Sequence, residues 1–405
     1  MISCAALGVE VARKAGLERL GQLVEVEPVF PALTIPAQAT LLTGLKPAAH
    51  GAVGNGFYER TLRRTFFWEQ SADLVSGKRI WERIEEEHAE AVQAALLFFQ
   101  NSVGCNADVI ATPAPIHAPD GRTVPACYTR PPLTAPQLEA RLGPFPLHKY
   151  WGPMAGLESS QWIAGAAAAV LKSGALQVIF AYLPHMDYDL QRFGPDSEEA
   201  ARAGTDLAAI LEELASEAER HGYQTVIVGD YAIESAGGFA LPNLALREAG
   251  LLRVRRVGDW EVPDMGTSGA FAVVDHQIAH VYCQNGVCPQ EVADALDGLA
   301  GVGRIIDREG QKALGVDHER GGDVILEALP GDWFAYDWWA DEGSAPPYAR
   351  TVDIHNKPGY DPLELFAAEG GTARDGNLLK GTHGRAGGGT AALILPDRAE
   401  APERL

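Results

Sequence analysis

The sequence predicts an α/β fold, a doubly wound and mostly parallel sheet flanked by helices, with a smaller α+β cap inserted into it. Three observations carry this expectation. Short apolar runs at 2–7, 94–99, 177–183, 225–229, 270–274 and 391–395 suit strands covered on both faces. Helical patterns lie between them: an alanine-rich one at 160–172, a long acidic one at 197–221 and a third at 289–299. From about 264 to 361 the chain changes character, with short alternating runs at 279–283 and 323–327 and an aromatic cluster at 333–339. The expected division is therefore a core made of 1–263 and 362–405 and a cap made of 264–361. The aromatic cluster reads as core or domain interface.

Composition narrows the function classes. The 405 residues, 46% hydrophobic and 21% charged, are those of a globular protein. A formal net charge of -21 repels nucleic-acid phosphates and anionic lipids, so neither a nucleic-acid polymer nor a membrane surface is expected as partner. An anionic substrate would need a local positive centre: a metal, an arginine or a helix N-terminus. The cysteines Cys4, Cys105, Cys127, Cys283 and Cys288 are odd in number and scattered, unlike a disulfide framework or a zinc finger. The apolar N-terminus lacks a basic lead and reads as a first strand rather than a signal peptide. No run reaches the ~18 apolar residues of a membrane span. A cytoplasmic location is the default expectation.

The chemistry concentrates at 30–57. Thr34 precedes Ile35-Pro36, and proline there suits the first turn of a helix expected from about Pro36 to Leu42. Unpaired amides and the positive dipole end meet at such a start. Two readings stay open on the residues alone: Thr34 as a plain N-cap, or Thr34 as a hydroxyl held where an anion or alkoxide is stabilised.

Thr34, Thr43-Gly44-Leu45-Lys46-Pro47, His50-Gly51 and Gly54-Asn55 resemble, in order and spacing, the nucleophile region of the type I phosphodiesterase/nucleotide pyrophosphatase branch of the alkaline phosphatase superfamily. The resemblance continues at 182–197, at Gly229-Asp230-Tyr231 and at Lys380-Gly381-Thr382-His383-Gly384. It implies an alkaline phosphatase-like fold, Thr34 as the group that attacks phosphorus, and Asn55 as donor to a non-bridging phosphoryl oxygen. It also implies two divalent metals, usually zinc, for which Asp187, Asp230 and His383 match ligand positions.

The match is incomplete at the metals. Gln191 stands where the partner of Asp187 is a histidine, Tyr231 replaces the histidine after Asp230, and Ser3 or Cys4 holds the place of an N-terminal aspartate. A neutral amide and an un-ionised phenol are poor zinc ligands. Gln191, Tyr231, Cys4 and His185 are therefore weaker metal candidates. Three states remain open: one ion on Asp187, His383 and Asp230; a harder ion, magnesium or manganese, in place of zinc; or no metal. His276, His280 and His355 fall in the cap and are further candidates to reach the pocket, and Arg192, His355 and Lys357 are candidates to meet substrate anions.

The expected function is a metal-dependent hydrolase of phosphodiester, pyrophosphate or phosphonate bonds through a phospho-threonine intermediate, acting on a small phosphorylated or phosphonate molecule. One alternative is a binding or regulatory protein that keeps the fold without the reaction. Another is a phosphotransferase of the same superfamily.

Overall fold

The computed structural model describes residues 1–117, 123–132 and 134–396; residues 397–405 of the expected core lie outside them. In chain order the strands that place the site are β1 (Ile2–Cys4), β2 (Gln22–Val26), β3 (Ala94–Leu97), β4 (Val109–Pro113), β5 (Cys127–Arg130), β6 (Val178–Leu183) and β7 (Ile227–Gly229), then β8 (Ala270–Asp275), β9 (Ile278–Cys283), β10 (Val302–Ile306) and β11 (Val324–Ala328), and last β12 (Ala391–Leu395). The principal helices are α1 (Thr34–Thr43), α2 (Leu157–Leu171), α3 (His185–Phe193) and α4 (Glu198–Arg220).

The main sheet runs β2-β12-β7-β1-β6-β3-β4-β5. Its middle, β7-β1-β6-β3-β4, is parallel throughout. The edges differ from the expectation. β12 pairs antiparallel with both β2 and β7, and β5 runs antiparallel to β4. A buried apolar run such as 391–395 fixes a strand's burial but not its direction, which the returning chain sets. The outer strands β2 and β5 lack a continuous apolar run because each is only partly covered; Gln22 and Glu25 of β2 face solvent.

Local signals explain the helices. Ser197 caps α4 by accepting the Ala200 N–H at 3.0 Å, with Glu198 and Glu199 in the first turn and Arg220 in the last, each sign matched to the helix dipole. α1 begins at Thr34, two residues before Pro36, and stops at Gly44, whose φ of 69° suits glycine.

The segment expected as a cap holds a separate four-stranded antiparallel sheet, β8-β9-β11-β10. The run at 270–274 therefore belongs to the cap and not to the main sheet. Phe334, Tyr336, Trp338 and Trp339 lie in the cap's own hydrophobic core, beside Phe271 and Tyr282. Trp338 and Trp339 meet edge to face at 4.9 Å. Tyr58, Phe67, Ala240, Leu246 and Leu252 also join this core, so the cap packs on segments that precede 264.

Candidate active site

The site forms where α1, α3 and the C-terminal end of β7 meet the tip of the β8–β9 hairpin. Leu33, not Thr34, is the N-cap residue of α1, and no side chain of the cap itself bonds the helix. The Asn55 side chain does this instead: its Oδ1 accepts the Ile35 N–H at 3.0 Å. The Thr34 hydroxyl is thus released from capping, and its Oγ1 lies 3.5 Å from Tyr231 Oη.

From Thr34 a chain of hydrogen bonds runs through buried side chains. Tyr231 Oη donates to Asp187 Oδ1 at 3.1 Å. Gln191 Nε2, one turn further along α3, donates to Asp187 Oδ2 at 2.6 Å, and Tyr360 Oη donates to Gln191 Oε1 at 3.0 Å. With both oxygens facing N–H or O–H donors, Asp187 is held by protein on each side. Burial pushes its carboxyl up to about 7, against the pull of the Gln191 and Tyr231 hydrogen bonds. Asp230 is displaced upward further, by burial and then by the nearby Asp187 charge. Its Oδ1 accepts the Ala6 and Tyr231 amides, and its Oδ2 is buried without a partner.

His383 donates from Nδ1 to the Ala32 carbonyl at 2.8 Å. A carbonyl only accepts, so the proton sits on Nδ1 and Nε2 carries the free lone pair. Nε2 lies 3.9 Å from Asp187 Oδ1. Burial, then His276, holds the imidazole neutral, so this is a contact and not an ion pair. Four rings pack in a row across the site, two pairs stacked and the central pair tilted at 41°. Tyr231 lies on His383 at 3.6 Å, His383 on His276 at 3.9 Å, and His276 on Tyr360 at 3.6 Å. The segment around His383 needs glycine at both sides: a Cβ on Gly381 would stand 2.2 Å from the Leu190 carbonyl oxygen, and Gly384 has φ +125°.

The cap contributes Asp275 and His276. His276 takes φ 57° at the hairpin tip, held there because its carbonyl accepts the Phe334 N–H at 2.8 Å while the next residue, Gln277, bonds the His383 carbonyl at 3.0 Å. Asp275 accepts both the backbone N–H and the Nδ2–H of Asn55, at 2.7 and 3.1 Å. Burial raises its carboxyl to about 6, with the Asn55 hydrogen bonds opposing.

The donors do not fit a two-metal centre. Among the described residues no three His, Cys, Asp or Glu side chains converge as metal ligands. The hydroxyl of Ser3 is buried in place of the N-terminal carboxylate, and the positions of two further donors hold the Gln191 amide and the Tyr231 phenol, both hydrogen-bonded to Asp187. The Cys4 thiol is buried beside Asp230, and burial, then the Asp230 charge, raises it well above its ordinary value.

Of the other expected residues, the structure brings His276 to the site and leaves several away from it. His185 turns to α4, with Nε2 3.4 Å from the Ala203 carbonyl oxygen. His280 bridges the Val53 carbonyl and the Gly322 amide. His355 bonds the Phe67 carbonyl at 3.1 Å on the surface. Arg192 is spent on the carbonyls of Gly152, Pro153, Ala155 and Leu365. Lys357 is buried against Asp361 at 2.8 Å and Glu364 at 2.6 Å. Two residues at the site escaped the sequence reading, Asp275 and Tyr360. Each was visible only as part of a short polar break beside an apolar run.

A cavity of about 20 Å³, room for one water, opens beside Ile35 and Asn55. Its walls include Phe57, Phe66 and Arg320, the only cationic side chain among its lining residues. A larger cavity of about 310 Å³ lies behind Ala32 and the 384–389 loop and is not lined by Thr34 or Asn55.

The sequence profile of the type I phosphodiesterase / nucleotide pyrophosphatase family matches residues 15–361. The chain belongs to that family. It stands with the phosphoric ester hydrolases of the alkaline phosphatase superfamily. No curated protein matches its sequence. Similar solved structures include phosphonoacetate hydrolase from Sinorhizobium meliloti 1021, in complex with phosphonoformate (16% identity, TM-score 0.65) and with phosphonoacetate (16%, 0.64). Both comparisons cover 99% of this chain and 91% of the other. Murine ectonucleotide pyrophosphatase/phosphodiesterase 5 is similar at 15% identity and TM-score 0.58, over 98% of this chain and 87% of that one. At these identities the likeness is one of fold, and it agrees with the mixed sheet and flanking helices described above.

Proposed function

We propose that this family member hydrolyses a small phosphoric or phosphonic ester at Thr34 and does so without the two-metal clamp. One observation carries the reading: Thr34 is the first residue of α1 and is relieved of capping by Asn55, while its hydroxyl faces the Tyr231–Asp187 pair. The Thr34 oxygen bonds to phosphorus as the ester P–O bond to the leaving group breaks. Its proton passes to Tyr231 Oη as the phenolic proton passes to Asp187; the leaving oxygen takes its proton from water. Water then cleaves the phospho-threonine. The 3.5 Å separation at Thr34 is typical of a catalytic contact that tightens only with substrate bound. The N-terminal amides of α1, Asn55 and Arg320 supply the positive potential that a chain of net charge -21 must provide locally.

The family's usual dependence on a divalent ion makes metal analysis the decisive experiment. Purified protein is expected to carry well under one metal per chain, and zinc, manganese or magnesium is expected to raise neither its melting temperature nor its rate on a bis-aryl phosphate. Stoichiometric metal that supports turnover would refute the metal-free reading. Arg320→Ala is expected to raise KM for an anionic ester about 10- to 100-fold, the worth of one charged hydrogen bond; steady-state kinetics with the variant checks this.

A second reading is favoured by the closure of the site. Thr34 is 4% exposed, and neither cavity is lined by it. On that reading the chain binds a small phosphonate or phosphate without turnover. Phosphonoformate binding measured by calorimetry, together with no hydrolysis of any ester tried, would support it over catalysis.

A further inference from the structure

We infer that Asp275, at the tip of the cap's hairpin, is a positioning residue that fixes Asn55 for its contact with the phosphoryl group. The inference rests on the role proposed above for Asn55. It starts from the amide's donor and acceptor inventory. Asn55 has one side-chain acceptor and two side-chain donors. Oδ1 is used by the Ile35 N–H, and one Nδ2 hydrogen by Asp275 Oδ1. The other Nδ2 hydrogen has no protein acceptor among the described residues.

The Asp275 carboxylate also takes the backbone N–H of Asn55 through Oδ2, at 2.7 Å. Two hydrogen bonds from one residue to one carboxylate lock the side chain against its own backbone. They also settle which end of the amide faces which way, because an acceptor-only carboxylate demands the nitrogen. Without Asp275 the amide is free to turn over, presenting oxygen to a phosphoryl oxygen and withdrawing the acceptor from Ile35.

Asp275 is itself held. His276 Nδ1 donates to its Oδ1 at 2.8 Å, and the His276 ring lies between Tyr360 and His383. A Cβ on Gly54 would stand 3.3 Å from Asp275 Oδ2, so the neighbouring chain leaves the carboxylate little room. The cap therefore does more than cover the sheet. Its hairpin tip sets the orientation of the residue that caps the helix bearing Thr34.

Two measurements test this. Phosphonoformate binding is measured by calorimetry in wild type, Asp275→Ala, Asp275→Asn, Asn55→Ala and the Asp275→Ala/Asn55→Ala double variant. The expected result is an affinity about tenfold lower in Asp275→Ala, the worth of a single oriented hydrogen bond, with partial recovery in Asp275→Asn, which keeps one acceptor. In the double variant Asp275→Ala should cost nothing beyond Asn55→Ala, because it acts through that residue. Tighter binding in Asp275→Ala would overturn the inference and make the carboxylate an internal competitor for the anion site. So would losses that multiply in the double variant, which mark a general structural role. The second measurement needs no ligand. In NMR spectra the Asn55 side-chain amide proton that meets Asp275 should be shifted downfield and exchange slowly with water in wild type, and should lose both features in Asp275→Ala; an unchanged shift and exchange rate would overturn the positioning. If wild type fails to bind phosphonoformate, the proposed function fails while the NMR result still decides the role of Asp275.

Discussion

Replacing Thr34 by alanine is expected to remove hydrolysis of a bis-aryl phosphate, by about a thousandfold or more, while phosphonoformate still binds. Loss of a covalent nucleophile is a transition-state effect and falls on kcat, with KM little moved. The fold should tolerate the change. Among the described residues the Thr34 hydroxyl has one long hydrogen bond, to Tyr231, and the helix start is capped by Asn55 and not by Thr34. Thr34→Ser, which keeps the oxygen, should retain activity within about tenfold, since only a methyl group is lost. Single-turnover kinetics with the threonine variants and detection of phospho-threonine in an acid-quenched reaction check the assignment. Activity unchanged in Thr34→Ala would place the nucleophile elsewhere.

The second large effect concerns stability. Lys357→Met is expected to destabilise the protein by about 3–5 kcal/mol, the cost of leaving a buried charge pair half made. The Lys357, Asp361 and Glu364 side chains are 1%, 3% and 1% exposed, so water does not replace the lost ammonium; Asp361 keeps Arg374 at 3.5 Å, and Glu364 is left without a cation. Glu364 also accepts the Asp353 amide and the Trp151 indole N–H, and the Lys357 ammonium holds the Thr351 carbonyl at 2.7 Å. The cluster ties the 351–364 segment, which delivers Tyr360 to Gln191, to the core. Urea unfolding of the variant measures the loss. Adding two substitutions that neutralise the carboxylates, Asp361→Asn and Glu364→Gln, should recover part of it, because neutral partners no longer need the charge. A fully stable Lys357→Met would show that the cluster does not hold this segment.

The two expectations show different degrees of legibility. Thr34 and Asn55 stand in a contiguous segment whose glycines, prolines and histidine have positional meaning, so the helix start that brings them together could be anticipated. Lys357 was expected as a candidate to meet substrate anions. Burial overturned that reading. Asp361 and Glu364 lie four and seven residues on, and their return beneath the lysine depends on a short 3₁₀ turn at Pro362–Leu365.

The same contrast holds for the metal positions. Gln191 and Tyr231 were recognisable as departures from the expected ligands, because one residue in a known spacing is either a histidine or it is not. How these two side chains are partnered was not legible. The phenol of Tyr231 bridges Thr34 and Asp187 only because β7 ends beside α3, and Tyr360 reaches Gln191 from 169 residues away along the chain.

Sequence alone determined the fold class, the alternation of buried strands and helices, and the position of Thr34 at a helix start. These follow from local patterns: continuous apolar runs, capping residues, and proline and glycine at turns. Tertiary structure alone decided three further matters. It set the edge strands antiparallel, it put Asp275 and His276 from the cap against Asn55 and His383, and it turned Lys357 and Arg192 from the site into the frame. Each depends on which surfaces the returning chain buries together, and hydrogen bonds between residues more than a hundred positions apart leave no periodic trace in the sequence.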